Sequence, residues 1–253
     1  MLFLSTYSVL SQSDIVSIKT FEKGNTLVVN GNSFMINGMN WDMIPIGKDA
    51  VNTNFWNKSD ELIKAGLELE MSLLKQMNVN AIRHYSDIPS KWVQYIFENY
   101  GIYTMLNHSF GRYGLTINGV WEPITDYSDH NTQKVLLSEI ETVVNKYKNT
   151  PGLLLYLLGN ENNYGLFWSG AETEDFPEEE SKKKAVGEKY GRPMYKLMNL
   201  AAKKIKELDS NHPVAICNGD DLFIDIVAEE CRDIDIFGVN SYRGASFTNL
   251  FKT

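Results

Sequence analysis

The sequence lacks three features, each of which would point to a different class of protein. Its only cysteines, Cys217 and Cys231, form neither a disulfide framework nor a cluster with metal-ligand spacing; they could pair, but nothing in the sequence requires it. No apolar run reaches roughly eighteen residues, so we predict no membrane span. The 24 basic residues are outnumbered by 32 acidic ones, giving a net charge of −8. This balance argues against nucleic acid or an anionic membrane as the main partner.

The N-terminus lacks a basic segment. Met1–Ser13 begins with the apolar run Leu2-Phe3-Leu4 and continues to small residues. This pattern resembles the second half of a secretory signal peptide without its positively charged start. We therefore predict that residues 1–20 are a signal-peptide remnant or an N-terminal tail, which frays or pairs with a strand edge. The first alternative implies a secreted or periplasmic protein.

The chain from residue 21 to residue 253 has no linker rich in Ser, Gly or Pro, and we predict a single domain there. Asn30-Gly31 lies between two short β-rich runs, which is typical of a hairpin. Strand-like and helix-like segments then alternate about six times, which predicts α/β topology with a parallel sheet. The length is that of one barrel.

The predicted strands reach Gly38 and then cover residues 79–85, 102–108, 153–158, 212–219 and 234–240. The predicted helices cover residues 59–77, 89–100, 132–146, 193–208 and 222–230. An open doubly wound sheet and a (β/α)8 barrel both fit this alternation. No Gly-x-Gly-x-x-Gly motif follows the first strand, which weakens the nucleotide-binding version of the open sheet.

Polar residues follow nearly every predicted strand. In Pro151–Asn163, an apolar run from Leu153 to Leu158 ends abruptly in Gly159-Asn160-Glu161. A carboxylate at the end of a buried strand is costly unless it has a task or a partner. The other strand ends carry Asn40 and Asp42, Arg83 and His84, Asn107 and His108, Asn218 and Asp220, and Asn240 and Tyr242. In a barrel these side chains would converge on one mouth.

Aromatic residues lie near the same strand ends and could provide flat apolar faces for a sugar ring. They are Trp41, Tyr85, Trp121, Tyr164, Trp168 and Tyr242. Each of them taken alone could equally be a core or loop residue.

Several segments, in order along the chain, resemble the catalytic barrel of family 2 glycoside hydrolases. They are Ile36–Trp41, Met71–Arg83, Tyr100–Tyr103, Asn149–Gly152, the strand-4 motif Leu157–Asn162, and Phe237–Tyr242. The resemblance implies a (β/α)8 TIM-barrel type fold, here incomplete, with about six βα units after a short N-terminal hairpin. It also implies retaining hydrolysis of a β-linked oligo- or polysaccharide, with no metal and no organic cofactor.

The resemblance implies a role for individual residues. Glu161 would be the general acid/base, Asn160 would bind the sugar 2-hydroxyl, and Arg83 would orient the carboxylate of the nucleophile. Tyr242 would lie beside that nucleophile. The remaining substrate-binding residues would be His84, His108, Trp41 and Trp168.

The family's nucleophile is a glutamate at the end of a seventh strand, which we expect beyond Thr253. The chain therefore resembles a barrel truncated before that strand, and we expect little hydrolysis from these residues alone. Exposed edges of an incomplete barrel also predict self-association. Two alternatives remain open: a non-catalytic carbohydrate-binding protein and a transglycosylase on the same barrel.

Overall fold

The computed structural model describes residues 14–22, 24–44, 55–85, 87–167 and 177–241. The signal-like segment Met1–Ser13 and the predicted substrate residues Trp168 and Tyr242 lie outside this described part of the chain.

An antiparallel hairpin opens the described chain, formed by β1 (Val16–Phe21), β2 (Gly24–Val29) and β3 (Asn32–Ser33). The turn between β2 and β3 has φ of 49° at Asn30 and 86° at Gly31, values that Asn and Gly tolerate best. The Asn-Gly prediction of a hairpin is therefore confirmed. Strand β1 begins at Val16 and so includes the last residues of the predicted tail at residues 1–20.

The hairpin covers the amino-terminal ends of the main sheet. Val16 and Val29 are buried in one apolar cluster with Ala81, Leu154 and Ala215, which lie at the starts of three main-sheet strands. The backbone joins the two parts as well, since the Val16 N–H donates to the Asn211 carbonyl at 2.7 Å. The N-terminal hairpin therefore closes the bottom of the sheet.

The main sheet has six parallel strands, and its spatial order follows the chain. Its strands are β4 (Gly38–Asn40), β5 (Ala81–Tyr85), β6 (Tyr103–His108), β9 (Leu153–Leu158), β10 (Val214–Gly219) and β11 (Ile236–Asn240). A short antiparallel pair, β7 (Leu115–Ile117) and β8 (Val120–Glu122), is inserted after β6.

Helices connect the strands. They are α1 (Asp60–Gln76), α2 (Ser90–Tyr100), α3 (His130–Tyr147), α4 (Asn162–Gly165), α5 (Glu180–Val186), α6 (Arg192–Leu208) and α7 (Ile224–Glu230). A 3-10 turn at Phe55–Asn57 precedes α1, and a π-helical turn at Gly187–Gly191 joins α5 to α6.

Helix α1 shows why these segments are helical and which face they bury. Ser59 precedes it, and its side chain accepts a hydrogen bond from the Leu62 N–H, which satisfies one of the unpaired donors of the first turn. Ile63, Leu67 and Met71, spaced by four residues, are almost completely buried. This spacing gives one apolar stripe that packs against the sheet.

The two faces of the main sheet have different surroundings. One face packs against the helices in a large apolar cluster that includes Ile82, Leu106, Tyr156 and Ile216. Residues of opposite parity, such as Leu155, face the other side together with the N-terminal hairpin. We call these the helix-facing side and the inner side. Because side chains alternate along a strand, parity decides which polar residues can meet at the inner side.

This arrangement is an incomplete TIM-barrel fold, and the predicted fold class with about six βα units is confirmed. Among the described residues, none of the helices has the length and apolar character needed to cross a membrane.

Replacing Gly152 with alanine should lower the free energy of unfolding by about 2–4 kcal/mol. Gly152 precedes β9 with φ of 83°, and an added Cβ would lie 2.3 Å from Phe97 Cβ. Gly101→Ala is the matched control, because Gly101 has φ of 68° but nothing within 4 Å of an added Cβ. We expect a loss of about 1–2 kcal/mol there, measured by urea unfolding. Equal losses at both positions would show that Phe97 moves aside without penalty.

Candidate active site

The turn after β9 holds Asn160 and Glu161 in a fixed conformation. Gly159 has φ of 79°, and a Cβ there would lie 2.4 Å from Asn162 Oδ1, so the position requires glycine. Asn162 Oδ1 accepts the Asn160 N–H at 2.8 Å, and the Glu161 N–H donates to the Cys217 carbonyl at 2.9 Å. Glu161 itself has φ of 55°, which is uncommon outside glycine and is often found at functional sites.

Arg83 connects the inner side of four neighbouring strands. From β5, its Nε donates to Asn107 Oδ1 at 2.8 Å, and its Nη2 donates to Asn160 Oδ1 at 2.9 Å. Its Nη1 lies 3.4 Å from the sulfur of Cys217 on β10. The guanidinium is a planar fork of donors, so these contacts fix the side-chain oxygens of both asparagines toward it.

Asn240, at the end of β11, completes the connection to Glu161. Its Nδ2 donates to Glu161 Oε1 at 2.8 Å and to Asn160 Oδ1 at 3.1 Å. Its Oδ1 accepts from the Cys217 thiol at 3.0 Å. Burial raises the pKa of that thiol, so at neutral pH it carries the proton that this bond needs. The thiol therefore keeps the amide nitrogen of Asn240 turned toward Glu161.

These contacts define the polar cluster, whose members lie at the carboxyl ends of five strands. They are Arg83, Asn107, Asn160, Glu161, Cys217 and Asn240. Within the described residues, Glu161 is the one carboxylate that the hydrogen bonds of the cluster include. The cluster can thus offer a proton-transferring carboxyl group beside amide donors that could bind hydroxyl groups.

Two tyrosines border the polar cluster. The hydroxyl of Tyr113 accepts from Asn160 Nδ2 at 3.3 Å. Tyr85 lies on the inner side next to Tyr113, and its partial burial raises its pKa to about 12. A cavity of about 180 Å³ beside Arg83 is lined by Asn40, Trp41, Asp42, Arg83 and Tyr85. The tyrosine at its edge is neutral at physiological pH and can donate or accept a hydrogen bond.

His84 and Trp41 were both predicted to line a sugar subsite. Among the described hydrogen bonds, none joins either residue to the polar cluster. His84 is fully buried on the helix-facing side, where its ring lies 5.6 Å from the rings of Trp41 and Trp56. Trp41 touches the cavity but is 7% exposed, and its indole N–H donates to Glu70 on α1 at 3.1 Å. The reason is parity, since His84 follows the inward-facing Arg83 by one residue.

His108 is placed on the helix-facing side for the same reason. Its Nδ1 accepts the Phe110 N–H, and its Nε2 lies 3.3 Å from Glu139 on α3. Its neighbour Asn107 takes the inward position instead. Asn218 also points away from the polar cluster, because it accepts from the Tyr195 hydroxyl on α6 at 2.7 Å. In three of the six predicted strand-end pairs, one member therefore faces the helices: His84, His108 or Asn218.

Four contributors to the site were not predicted as site residues. Asn107 and Asn240 were recognised only as polar strand ends, although the alternation along β6 and β11 places both on the inner side. Cys217 was considered only as a partner for Cys231, yet its thiol is part of the polar cluster. No sequence signal marks Tyr113, which reaches Asn160 from the loop after β6.

Comparisons with known proteins identify the family and the fold. Residues 21–243 match the family described as "Glycosyl hydrolases family 2, TIM barrel domain". The beta-galactosidase of Lactococcus lactis subsp. lactis (strain IL1403) is 28% identical over 148 residues. That alignment covers 57% of this chain but 13% of the galactosidase. The chain thus spans a small part of the length of this curated relative.

Solved structures of low identity share the fold. Parabacteroides merdae beta-glucuronidase with glycerol in its active site has a TM-score of 0.55 at 21% identity, over 94% of this chain and 24% of that one. Bacteroides uniformis beta-glucuronidase 2, covalently bound to cyclophellitol-6-carboxylate aziridine, has a TM-score of 0.60 at 18% identity, with the same coverage of 94% and 24%. Beta-mannanase from the blue mussel Mytilus edulis has a TM-score of 0.59 at 13% identity, over 90% and 74%. Since the family match extends over most of the sequence, this chain belongs to glycosyl hydrolase family 2 through its TIM-barrel domain.

Proposed function

We propose that this chain supplies the acid/base part of a retaining glycoside hydrolase site for a β-linked carbohydrate. The observation that carries the proposal is the polar cluster, in which Arg83 and Asn240 hold Asn160 and Glu161 at the carboxyl end of the sheet. The relatives named above are a beta-galactosidase, beta-glucuronidases and a beta-mannanase. Their names support a β-glycosidic substrate, and the sugar itself is not specified by them.

In this proposal Glu161 protonates the leaving glycosidic oxygen and later removes a proton from the attacking water. The side-chain oxygen of Asn160 is already engaged by Arg83 and Asn240, and one N–H of its NH₂ group donates to Tyr113, so the other N–H is the group that would bind a ligand. An NH₂ group can donate to a sugar hydroxyl, and we assign the 2-hydroxyl to it. Arg83 positions Asn160 and is available to orient the nucleophile.

We propose that the nucleophile comes from residues other than those described. The substrate-binding roles of Trp168 and Tyr242, which also lie outside the described residues, remain proposals as well.

One observation favours a second candidate, a non-catalytic carbohydrate-binding protein. Among the described residues, Glu161 is the single carboxylate bonded within the polar cluster, whereas retaining hydrolysis requires two. Both candidates require that Asn160 bind a sugar. Secretion and self-association stay predictions, to be tested by cell fractionation and sedimentation.

Asn160→Ala should weaken the binding of phenyl β-thioglycosides by roughly ten- to a hundredfold, because a hydrogen bond to the 2-hydroxyl is lost. Thioglycosides resist hydrolysis, so calorimetric titration measures binding alone. Galactoside, glucoside, mannoside and glucuronide versions test the sugar. Asn145→Ala, on the exposed face of α3, is the matched control and should bind like the wild type.

The 2-deoxy analogue identifies the hydroxyl group. The wild type should bind the 2-deoxy analogue as weakly as Asn160→Ala binds the parent glycoside. Asn160→Ala should bind the 2-deoxy analogue and the parent glycoside with equal affinity. Additive losses would place the 2-hydroxyl elsewhere. If no thioglycoside bound to the wild type, the proposed function would be wrong.

A further inference from the structure

The β7–β8 hairpin carries exposed aromatic surface beside the polar cluster. Trp121 on β8 is 58% exposed, and Tyr113, just before β7, is 44% exposed. The hairpin is anchored, because Leu115 is buried in the main core and Thr125 donates to the Gly111 carbonyl at 2.6 Å. More than half of the Trp121 side chain stays exposed, so burial of its indole gives only part of the stability that a core tryptophan would give.

The position of the indole is fixed by a glycine. A Cβ at Gly114 would lie 2.6 Å from the six-membered ring of Trp121, so the ring rests directly against the Gly114 backbone. Gly114 has φ of 92°, a conformation that favours glycine. Glycine at position 114 therefore lets the Trp121 ring pack directly on the backbone, while more than half of the Trp121 side chain stays exposed to solvent.

Tyr113 links this surface to the polar cluster. Tyr113 directly precedes Gly114, and its hydroxyl accepts from Asn160 Nδ2 at 3.3 Å. The path from the Trp121 ring through Gly114 and Tyr113 therefore ends at Asn160 and Glu161. Tyr113 thus offers a phenolic hydroxyl at Asn160, and the Trp121 ring rests against the residue that follows Tyr113. A flat apolar ring and a hydroxyl group match a pyranose, which has an apolar C–H face and a rim of hydroxyl groups.

We infer that Trp121 and Tyr113 form a second sugar subsite, which binds the ring next to the one held at Asn160. The inference rests on the proposed function, since it requires a saccharide at the polar cluster. It implies that the substrate is longer than one sugar. In this arrangement the second ring stacks on Trp121 and the Tyr113 hydroxyl lies between the two rings.

The test compares the binding of tetrasaccharides and monosaccharides by calorimetry. The probes are β-1,4-linked mannotetraose, cellotetraose and galactotetraose, each with its monosaccharide. Trp121→Ala should bind the preferred tetrasaccharide roughly ten- to thirtyfold more weakly than the wild type, with monosaccharide binding unchanged. Trp121→Phe should keep most of the affinity, because it retains a flat ring.

Phe21→Ala is the matched control, since Phe21 is 54% exposed on the N-terminal hairpin at the other end of the sheet. It should bind both ligands like the wild type. If Trp121→Ala binds the tetrasaccharide normally while Asn160→Ala does not, the second subsite is wrong and the proposed function stands. If Trp121→Ala weakens tetrasaccharide binding but Asn160→Ala does not, sugar binds at Trp121 without Asn160, and both the second subsite as stated and the proposed function are wrong.

Two further outcomes would overturn the inference. A wild type that binds none of the tetrasaccharides would exclude both the second subsite and the proposed function. A dimer that forms in sedimentation experiments and is lost in Trp121→Ala, without any change in sugar affinity, would assign this surface to self-association instead.

Discussion

Glu161→Gln should slow the hydrolysis of glycosides with poor leaving groups by roughly 10²–10⁴, the usual contribution of general acid–base catalysis. An amide can neither donate nor recover the proton, although it keeps the size of the side chain. The hydrogen bond between Asn240 Nδ2 and Glu161 Oε1 (2.8 Å) can be retained by the amide oxygen. The loss should therefore reflect proton transfer and not a collapse of the polar cluster.

A series of aryl β-glycosides measures this prediction on a longer protein that contains this chain together with the nucleophile. Substrates with good leaving groups need no proton and should keep much of their glycosylation rate. Azide should then restore turnover, because it replaces the water that Glu161 would activate. Glu98→Gln, on the exposed face of α2, is the control. An equal loss for every leaving group, with no rescue by azide, would assign the acid/base role to another residue.

Asp209→Ala should lower the free energy of unfolding by roughly 3–5 kcal/mol, because it removes the acceptor of a buried network. Asp209 Oδ2 accepts a hydrogen bond from the Tyr156 hydroxyl at 2.8 Å, and it also lies 2.8 Å from His212 Nδ1. All three residues are buried: Tyr156 is in β9, and Asp209 and His212 lie in the loop that leads into the amino-terminal end of β10, whereas Glu161 follows the carboxyl end of β9. Sugar binding at Asn160 should therefore be unchanged in molecules that remain folded.

The stability from Asp209 should depend on pH. Burial alone would raise the pKa of its carboxyl, but hydrogen bonds from His212, the Asn211 N–H and Tyr156 outweigh burial and lower it. A lowered pKa in the folded state means that the contribution is complete above the unfolded value, about 3.9. It is lost as the pH falls through the folded value.

Urea unfolding should be measured at a series of pH values below about 3.9. As the pH falls, the free energy of unfolding should decrease less in Asp209→Ala than in the wild type. Asp225→Ala, at an exposed position of α7, should change the free energy by less than about 1 kcal/mol. Parallel acid profiles for the wild type and Asp209→Ala would show that Asp209 is not responsible.

The sequence by itself determined the order of the elements. The periodicity of a strand or a helix is a local property of the sequence. It can be read directly from an apolar stripe such as Ile63, Leu67 and Met71, or from an apolar run such as Leu153–Leu158. The Asn30-Gly31 turn is equally local, because two adjacent residues must adopt positive φ. These signals were enough to predict the alternating units and the hairpin.

The tertiary structure decided which side chains meet. Strands buried on both faces carry no polar–apolar alternation, so the sequence could not tell that Arg83 points inward while His84 points toward the helices. The bond from Asn240 to Glu161 joins residues 79 positions apart, and the thiol of Cys217 reaches Asn240 from a neighbouring strand. Such contacts depend on how strands are placed side by side, because no local pattern in the chain encodes the distance between them.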